Sequence, residues 1–215
     1  MLRLSLLVIV FIVALKQVTS DAPQKVIVTI YYESLCPDSK RFILNQLEPS
    51  IHTLENYITL EFVPFGKARS INQGHNGFQC QHGPEECAGN MVQSCALDLM
   101  QERNDLEKVL YVTCEMMTEA GTTNNMKCVK RAGLRAYDVR SCISSGIGTS
   151  LQLQAEQATN QIRPRFIPTV TINGVFDQQI QDSAMVDLYG TLCSVLGEVP
   201  PCVNFNGGAT EYAFI

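Results

Sequence analysis

Nine cysteines stand in this chain of 215 residues, at 36, 80, 87, 95, 114, 128, 142, 193 and 202. So many thiols in a small chain restrict it to folds that are cross-linked, metal-bound or both. The leader decides between these. Residues 1–20 read MLRLSLLVIVFIVALKQVTS, with a positive Arg3, an apolar run from Leu4 to Leu15, and Val18, Thr19 and Ser20 at the cleavage positions. The pattern predicts a secretory signal peptide cut after Ser20. Its apolar run is shorter than the roughly 18–20 residues of a spanning helix, which leaves an uncleaved anchor as the weaker alternative. Cysteines on that route oxidise, so four disulfides and one remaining thiol are expected. The odd thiol also allows a disulfide-linked dimer beside a monomer.

The mature chain, residues 21–215, carries 14 basic against 21 acidic residues and no Lys/Arg stripe. Nucleic acid is therefore not an expected partner. No later segment is apolar and long enough to span a membrane, so no membrane contact is expected after cleavage. No Asn-x-Ser/Thr sequon occurs. A glycan-dependent sorting signal then has no handle, which tilts the expected destination from lysosome toward secretion.

Secondary-structure signals give an order. Lys25–Tyr32 is β-branched and aromatic, so a strand. Phe42, Ile43, Leu47, Ile51 and Leu54 follow at helical spacing, with Pro49 expected to end or kink the helix. Ile58–Phe65 reads as a second strand and Gly66–Gly83 as a long loop. Residues 84–145 read as helical, including one pattern across Glu85–Leu110 and shorter segments at Val129–Leu134 and Val139–Ile143. Ser150–Gln161 is a further helix. Ile167–Ile172 returns as a strand, with a hairpin turn at Asn173-Gly174 and a short partner at Val175–Phe176. Ser183–Leu196 closes as one helix. This order fits an α/β, thioredoxin-like fold with a helical, cysteine-rich insertion at about 84–160.

The chemistry is expected at YYESLCPDSKRF, residues 31–42. Cys36 falls between strand and helix, at the N-cap, with Pro37 at the first helical position. Unpaired N–H groups and the helix dipole there favour a thiolate, so an exposed, activated thiol is expected. Ser39, one turn on, could donate its hydroxyl to that thiolate. Asp38 opposes the thiolate, and Lys40 and Arg41 offset Asp38. The alternative is that Cys36 is a disulfide partner and another cysteine is free. Pro168, in RFIPTV, sits where thioredoxin-like proteins carry a cis-proline against the active cysteine. A trans bond is the generic expectation for an isolated X-Pro.

Residues 80–95 read CQHGPEECAGNMVQSC. They resemble the signature C-Q-H-G-x-x-E-C-x-x-N-x-x-x-x-C of the gamma-interferon-inducible lysosomal thiol reductase family. Cys80, Gln81, His82, Gly83, Glu86, Cys87, Asn90 and Cys95 all match. The resemblance runs from about Val26 to Cys202, taking in YYESLCP and PTVTING. It implies reduction of protein disulfides at acidic pH in endosomes and lysosomes, without a cofactor. The family's active site is Cys-x-x-Cys. This chain has Ser39 in the resolving position, as in the arthropod-type branch.

That departure has a consequence. A mixed disulfide on Cys36 has no internal thiol to release it. Release needs an external small thiol or a thiol of the substrate protein, which favours monothiol exchange, isomerisation or slow, adduct-forming reduction. The rival reading is a catalytically silent secreted protein with a binding or immune-modulating role. Cys80, His82, Cys87 and Cys95 lack the paired spacing of structural zinc, so no metal is expected. His82 reads mainly as a hydrogen-bonding residue of a tight loop with Gln81, and secondarily as an acid–base group near the thiol. His52 and His75 read as surface residues. Cys193 and Cys202 are candidates for one local disulfide.

Overall fold

A computed structural model of the chain describes Lys25 to Val203. The signal-peptide expectation for residues 1–20, and the tail from 204 on, lie outside the described residues. Strand β1 (Val26–Tyr32) is central. It pairs in parallel with β2 (Ile58–Pro64), from Val26↔Ile58 to Tyr32↔Pro64. On its other side β5 (Thr169–Ile172) runs antiparallel, from Val28↔Ile172 to Tyr31↔Thr169. Val28 through Tyr32 are all buried, as a strand covered on both faces requires. The tight turn at Asn173-Gly174, with φ of 49° and 75°, has the mirror-type geometry that Asn-Gly supports. It closes with Ile172 and Val175 exchanging both backbone hydrogen bonds, at 3.0 and 2.9 Å. Val175 forms only that bridge rather than a strand.

The first helix does not stop at Pro49. Helix α1 (Pro37–Phe42) runs through a π-turn at Ile43–Leu47 into α2 (Glu48–Leu54). A proline ring collides with the carbonyl four residues back in regular helix. The chain instead widens one turn ahead of it, where the Glu48 N–H reaches the Ile43 carbonyl. Ile43, Leu47, Ile51 and Leu54 keep one face and are fully buried in the core.

The loop after β2 carries a two-residue hairpin, β3 (Arg69–Ser70) with β4 (Phe78–Gln79). The helical block then runs α3 (Pro84–Asp98), α4 (Asp105–Thr118), a 3-10 turn at Ala120–Thr123, α5 (Lys127–Arg131), α6 (Ala136–Ser144) and α7 (Ile147–Ile162). Two expected single helices are broken, each by a capping side chain. Asn104 Oδ1 accepts the Glu107 N–H at 2.8 Å and starts α4, so the pattern across 85–110 is two helices and Leu99 is exposed between them. Asp187 Oδ1 accepts the Gly190 N–H at 2.9 Å and separates α8 (Gln178–Ala184) from α9 (Leu188–Leu196). Gln46, in the π-turn, bonds both sides of that break, at the Val186 carbonyl and the Leu188 N–H. A short helix, α10 (Pro200–Val203), follows.

The arrangement is a thioredoxin-like α/β fold with a cysteine-rich helical block inserted before β5. Helix α3 packs on α6, α7 and the 3-10 turn, and α4 packs on α2 and the π-turn. No helix among the described residues is long and apolar enough to cross a membrane.

Candidate active site

Cys36 ends the turn that leaves β1. Its N–H bonds the Glu33 carbonyl at 3.3 Å, and its own carbonyl takes the Lys40 N–H at 3.0 Å. The residue is the N-cap of α1, and its sulfur accepts the Ser39 N–H at 3.5 Å. Cys36 is the one free cysteine; the other eight form Cys80–Cys87, Cys95–Cys142, Cys114–Cys128 and Cys193–Cys202. The signature thiols are therefore spent on disulfides and cannot serve as a zinc set.

Two details differ from the sequence expectation. Cys36 is only 7% exposed, because Tyr31, Ile167, Val63, Ala158 and Ile162 pack around it. The Ser39 side chain is fully buried, its hydroxyl accepts the Glu33 N–H at 3.4 Å, and the hydrogen bond Ser39 makes to the sulfur comes from its backbone N–H at 3.5 Å. The local charges are also spent elsewhere: Arg41 pairs with Asp38, and Lys40 reaches Glu119 at 3.0 Å.

The opposite wall is the approach to β5. The Ile167–Pro168 peptide is cis, and the Cys36 sulfur lies 3.7 Å from the Ile167 carbonyl oxygen, as a thiol donating to it. Behind that wall the buried Gln181 accepts the Val170 N–H and donates to the Pro168 carbonyl, at 2.8 and 3.1 Å. It satisfies backbone groups that β5, as an edge strand, leaves open.

The signature residues meet the same turn from beneath. Ser34 donates its N–H to Asn90 Oδ1 at 2.9 Å and its hydroxyl to the Glu86 carbonyl at 3.0 Å. Tyr32 donates its hydroxyl to Gln93 at 2.6 Å. Burial pushes the Tyr32 hydroxyl well above its ordinary range, and Glu115 adds to the shift. Gly89 sits where a Cβ would lie 2.5 Å from Ser34 Oγ, so helix and turn touch without a side chain between them. Gly83, at φ 94°, turns the Cys80–Cys87 loop into α3. Gln81 is exposed.

Glu33 is the residue the sequence reading missed. It is fully buried, as is Glu86, and His82 lies between their carboxylates. His82 Nδ1 is 2.6 Å from Glu86 Oε2 and 3.3 Å from Glu33 Oε2, while the His82 N–H reaches Glu86 Oε1 at 3.1 Å. Glu33 Oε1 takes the Lys67 N–H at 2.6 Å. Gly66, at φ 60°, makes room for this, since a Cβ there would fall 2.2 Å from Glu33 Cγ. Burial raises the Glu33 carboxyl above its ordinary range. The Lys67 N–H pulls it back, Glu86 adds to the rise, and the His82 and Lys67 charges oppose it. The signal was present in the sequence as an acid at the end of an otherwise apolar strand, three residues before Cys-Pro.

The donor atoms of Glu33, His82 and Glu86 lie within 4.8 Å of one another. Two ligands of a tetrahedral zinc at about 2.1 Å stand roughly 3.4 Å apart. The 2.6 Å between Nδ1 and Glu86 Oε2 is a hydrogen bond instead. His52 pairs with Glu48 on the surface, and His75 is exposed in its loop.

The sequence pattern described as "Gamma interferon inducible lysosomal thiol reductase (GILT)" matches residues 27–132. GILT-like protein 1 of Drosophila melanogaster is 32% identical over 210 residues, covering 89% of this chain and 84% of that protein. The gamma-interferon-inducible lysosomal thiol reductase of Carassius auratus is 33% identical over 184 residues, covering 81% and 70%. Among solved structures, oxidised BdbD from Bacillus subtilis superposes with a TM-score of 0.53 over 82% of this chain and 87% of that one. At 13% identity that likeness shows the fold alone. Relatives this similar over most of their own length settle the lineage: the chain belongs to the gamma-interferon-inducible lysosomal thiol reductase family, thiol–disulfide oxidoreductases built on a thioredoxin-like fold.

Proposed function

We propose that this chain exchanges protein disulfides through Cys36 alone. One observation carries the reading: the sole free thiol caps a helix opposite a cis-proline, while the resolving position holds a buried serine, which has no sulfur to attack with.

An extended substrate segment lies along the backbone at Ile167, ahead of Pro168. The Cys36 thiolate attacks one sulfur of the substrate disulfide. That S–S bond breaks, the second substrate sulfur leaves as thiolate and takes up a proton, and a Cys36–substrate mixed disulfide remains. Ser39 cannot attack it. In reduction, an external small thiol attacks the Cys36 sulfur and frees the substrate thiol. A second equivalent then displaces the first as the small-molecule disulfide and restores Cys36. In isomerisation, a thiolate of the substrate attacks its own sulfur in the mixed disulfide, with no net redox change. The setting is the secretory route, ending in the lysosome or outside the cell, as the leader-like residues 1–20 and the lysosomal names of relatives support.

The test is a time course of disulfide reduction by the mature chain with a small-thiol reductant. It is run at about pH 5 and about pH 7, which bracket imidazole and lowered-thiol titrations. Cys36→Ser and Ser39→Cys are run beside it. Sustained turnover that Cys36→Ser removes is expected. Stoichiometric adduct that turns over only in Ser39→Cys would mean a stalled relative. Silence in both the native chain and Ser39→Cys would replace this reading with the binding-protein one.

A further inference from the structure

Beneath the Cys36 turn there is more buried negative charge than one hydrogen can satisfy. His82 has a single Nδ1–H to offer two carboxylates, and Glu86 Oε2 holds it at 2.6 Å. Glu33 Oε2 faces the same nitrogen at 3.3 Å, is buried, and has no hydrogen-bond partner. A buried carboxylate oxygen without a donor is costly, and two carboxylates around one imidazole hold a proton rather than both ionise. The titratable groups facing Glu33 are Glu86 from α3, His82 from the loop before it, and Lys67 from the loop after β2. The net effect of burial and Glu86 is to raise Glu33, which agrees with a retained proton.

The same residue is wired to the thiol. The Glu33 carbonyl takes the Cys36 N–H, and the Glu33 N–H bonds the Ser39 hydroxyl. Ser39 in turn gives its N–H to the Cys36 sulfur. A displacement of the Glu33 backbone is therefore passed to the residue that carries the sulfur and to Ser39, whose N–H caps it.

We propose that Glu33 is a positioning residue for Cys36: a proton held among Glu33, His82 and Glu86 keeps the Glu33–Cys36 turn in place, and its loss loosens that turn. The sign follows from like charges. When the proton leaves, two buried anions face each other across His82, and Glu33, on the short turn, gives way before Glu86 on its fifteen-residue helix. The capping geometry of Cys36 is thus best kept on the acidic side. The proposal deepens the reading of Cys36 as the reacting thiol and rests on it, but its test reads the thiol directly.

The experiment is the rate of Cys36 alkylation by iodoacetamide in the folded, disulfide-intact mature chain, from about pH 4 to about pH 9, spanning carboxyl and thiol titrations. Glu33→Gln copies the protonated acid: its carbonyl still accepts the Lys67 N–H and its amide cannot ionise. The native profile should depart from a single thiol titration by about tenfold above the carboxyl titration. Glu33→Gln should follow a single titration. Glu86→Gln leaves the Glu33 bonds in place but removes the like-charge pair, so it should lose the departure too and carries the test if Glu33→Gln does not fold. A native profile without the departure, or folded variants that retain it, would overturn the proposal. Absence of disulfide turnover with the departure present would count against the catalytic reading alone.

Discussion

The Cys36 turn and the helical block are held by opposite means. Between Tyr32 and Ser39 there is no covalent cross-link. Buried hydrogen bonds from Asn90, Glu86, Gln93 and the His82 cluster fix the turn. The helical block instead contains short helices and left-handed turns, and it is closed by Cys95–Cys142 and Cys114–Cys128, whose four cysteines are buried. The Cys36 turn rests on bonds that protons can alter, and the helical block on bonds that only thiol–disulfide exchange can break.

Deleting the longer cross-link tests that contrast most severely. Cys95–Cys142 spans 47 residues, which in the chain-entropy picture is worth about 4 kcal/mol. Cys95→Ala with Cys142→Ala should lower the melting temperature by roughly 8–16 °C for a chain of this size, measured by calorimetry without reductant. Below the new transition, Cys36 should alkylate at close to the native rate. A large change in that rate in the folded protein would mean that the two regions are not separate supports.

Gly89→Ala attacks the seam between them. The new methyl would meet Ser34 Oγ at 2.5 Å, Ser34 Cβ at 2.9 Å and Thr122 Cγ2 at 2.9 Å. Overpacking of this kind costs about 1–3 kcal/mol. Unlike the disulfide deletion, it should also change the Cys36 alkylation rate, because Ser34 belongs to the turn. Denaturant melts and alkylation rates together decide it. A stability loss with an unchanged rate would detach α3 from the site.

What the sequence disclosed followed the range of the interactions. The strand–Cys-Pro–helix junction and the Asn-Gly turn are written in adjacent residues, and the Cys193–Cys202 loop closes over nine positions. The family signature was legible as a pattern, but its job beneath the Cys36 turn was not, because Ser34 and Asn90 meet only after folding. Glu33 was hidden for the same reason: an acid at a strand end reads as exposed until Gly66, Lys67 and His82 close over it. The role of the Ser39 hydroxyl as acceptor of the Glu33 N–H, six residues back, is likewise set by the folded turn rather than by neighbouring sequence. Pro49 distorts its helix one turn ahead of itself, as a π-turn, rather than ending it, and nothing in the adjacent residues distinguishes the two outcomes.

A pH test separates a second buried acid from the site. Burial raises Glu115 above the usual carboxylate range, while the Gly121 N–H at 2.8 Å, the neighbouring Tyr111 hydroxyl and the Lys127 charge draw it back. A carboxyl raised in the folded state supports the fold fully below its unfolded value. That support is lost as pH rises through the folded value. Glu115→Gln should therefore remove a downward slope in stability just above the ordinary carboxylate range. The effect should be smaller than that of Gly89→Ala and should leave the Cys36 profile alone. Urea midpoints across that pH range check the first part; a parallel slope in native and variant would show that Glu115 does not titrate there.

The smallest effect is expected where charge is most visible. Lys40 lies one turn beyond Cys36 and joins the Glu119 carboxylate at 3.0 Å, with both side chains substantially exposed. Exposed pairs contribute about 0.2–1 kcal/mol and are screened by salt. Lys40→Ala should change stability by less than about 1 kcal/mol. It should alter Cys36 alkylation by no more than about twofold at physiological ionic strength, because solvent screens a charge there. The comparison with Glu33→Gln is the informative one. The two residues flank Cys36 at similar sequence distance, one a surface cation and the other a buried acid, so a larger change from Lys40→Ala would shift control of the thiol from the buried cluster to the surface field.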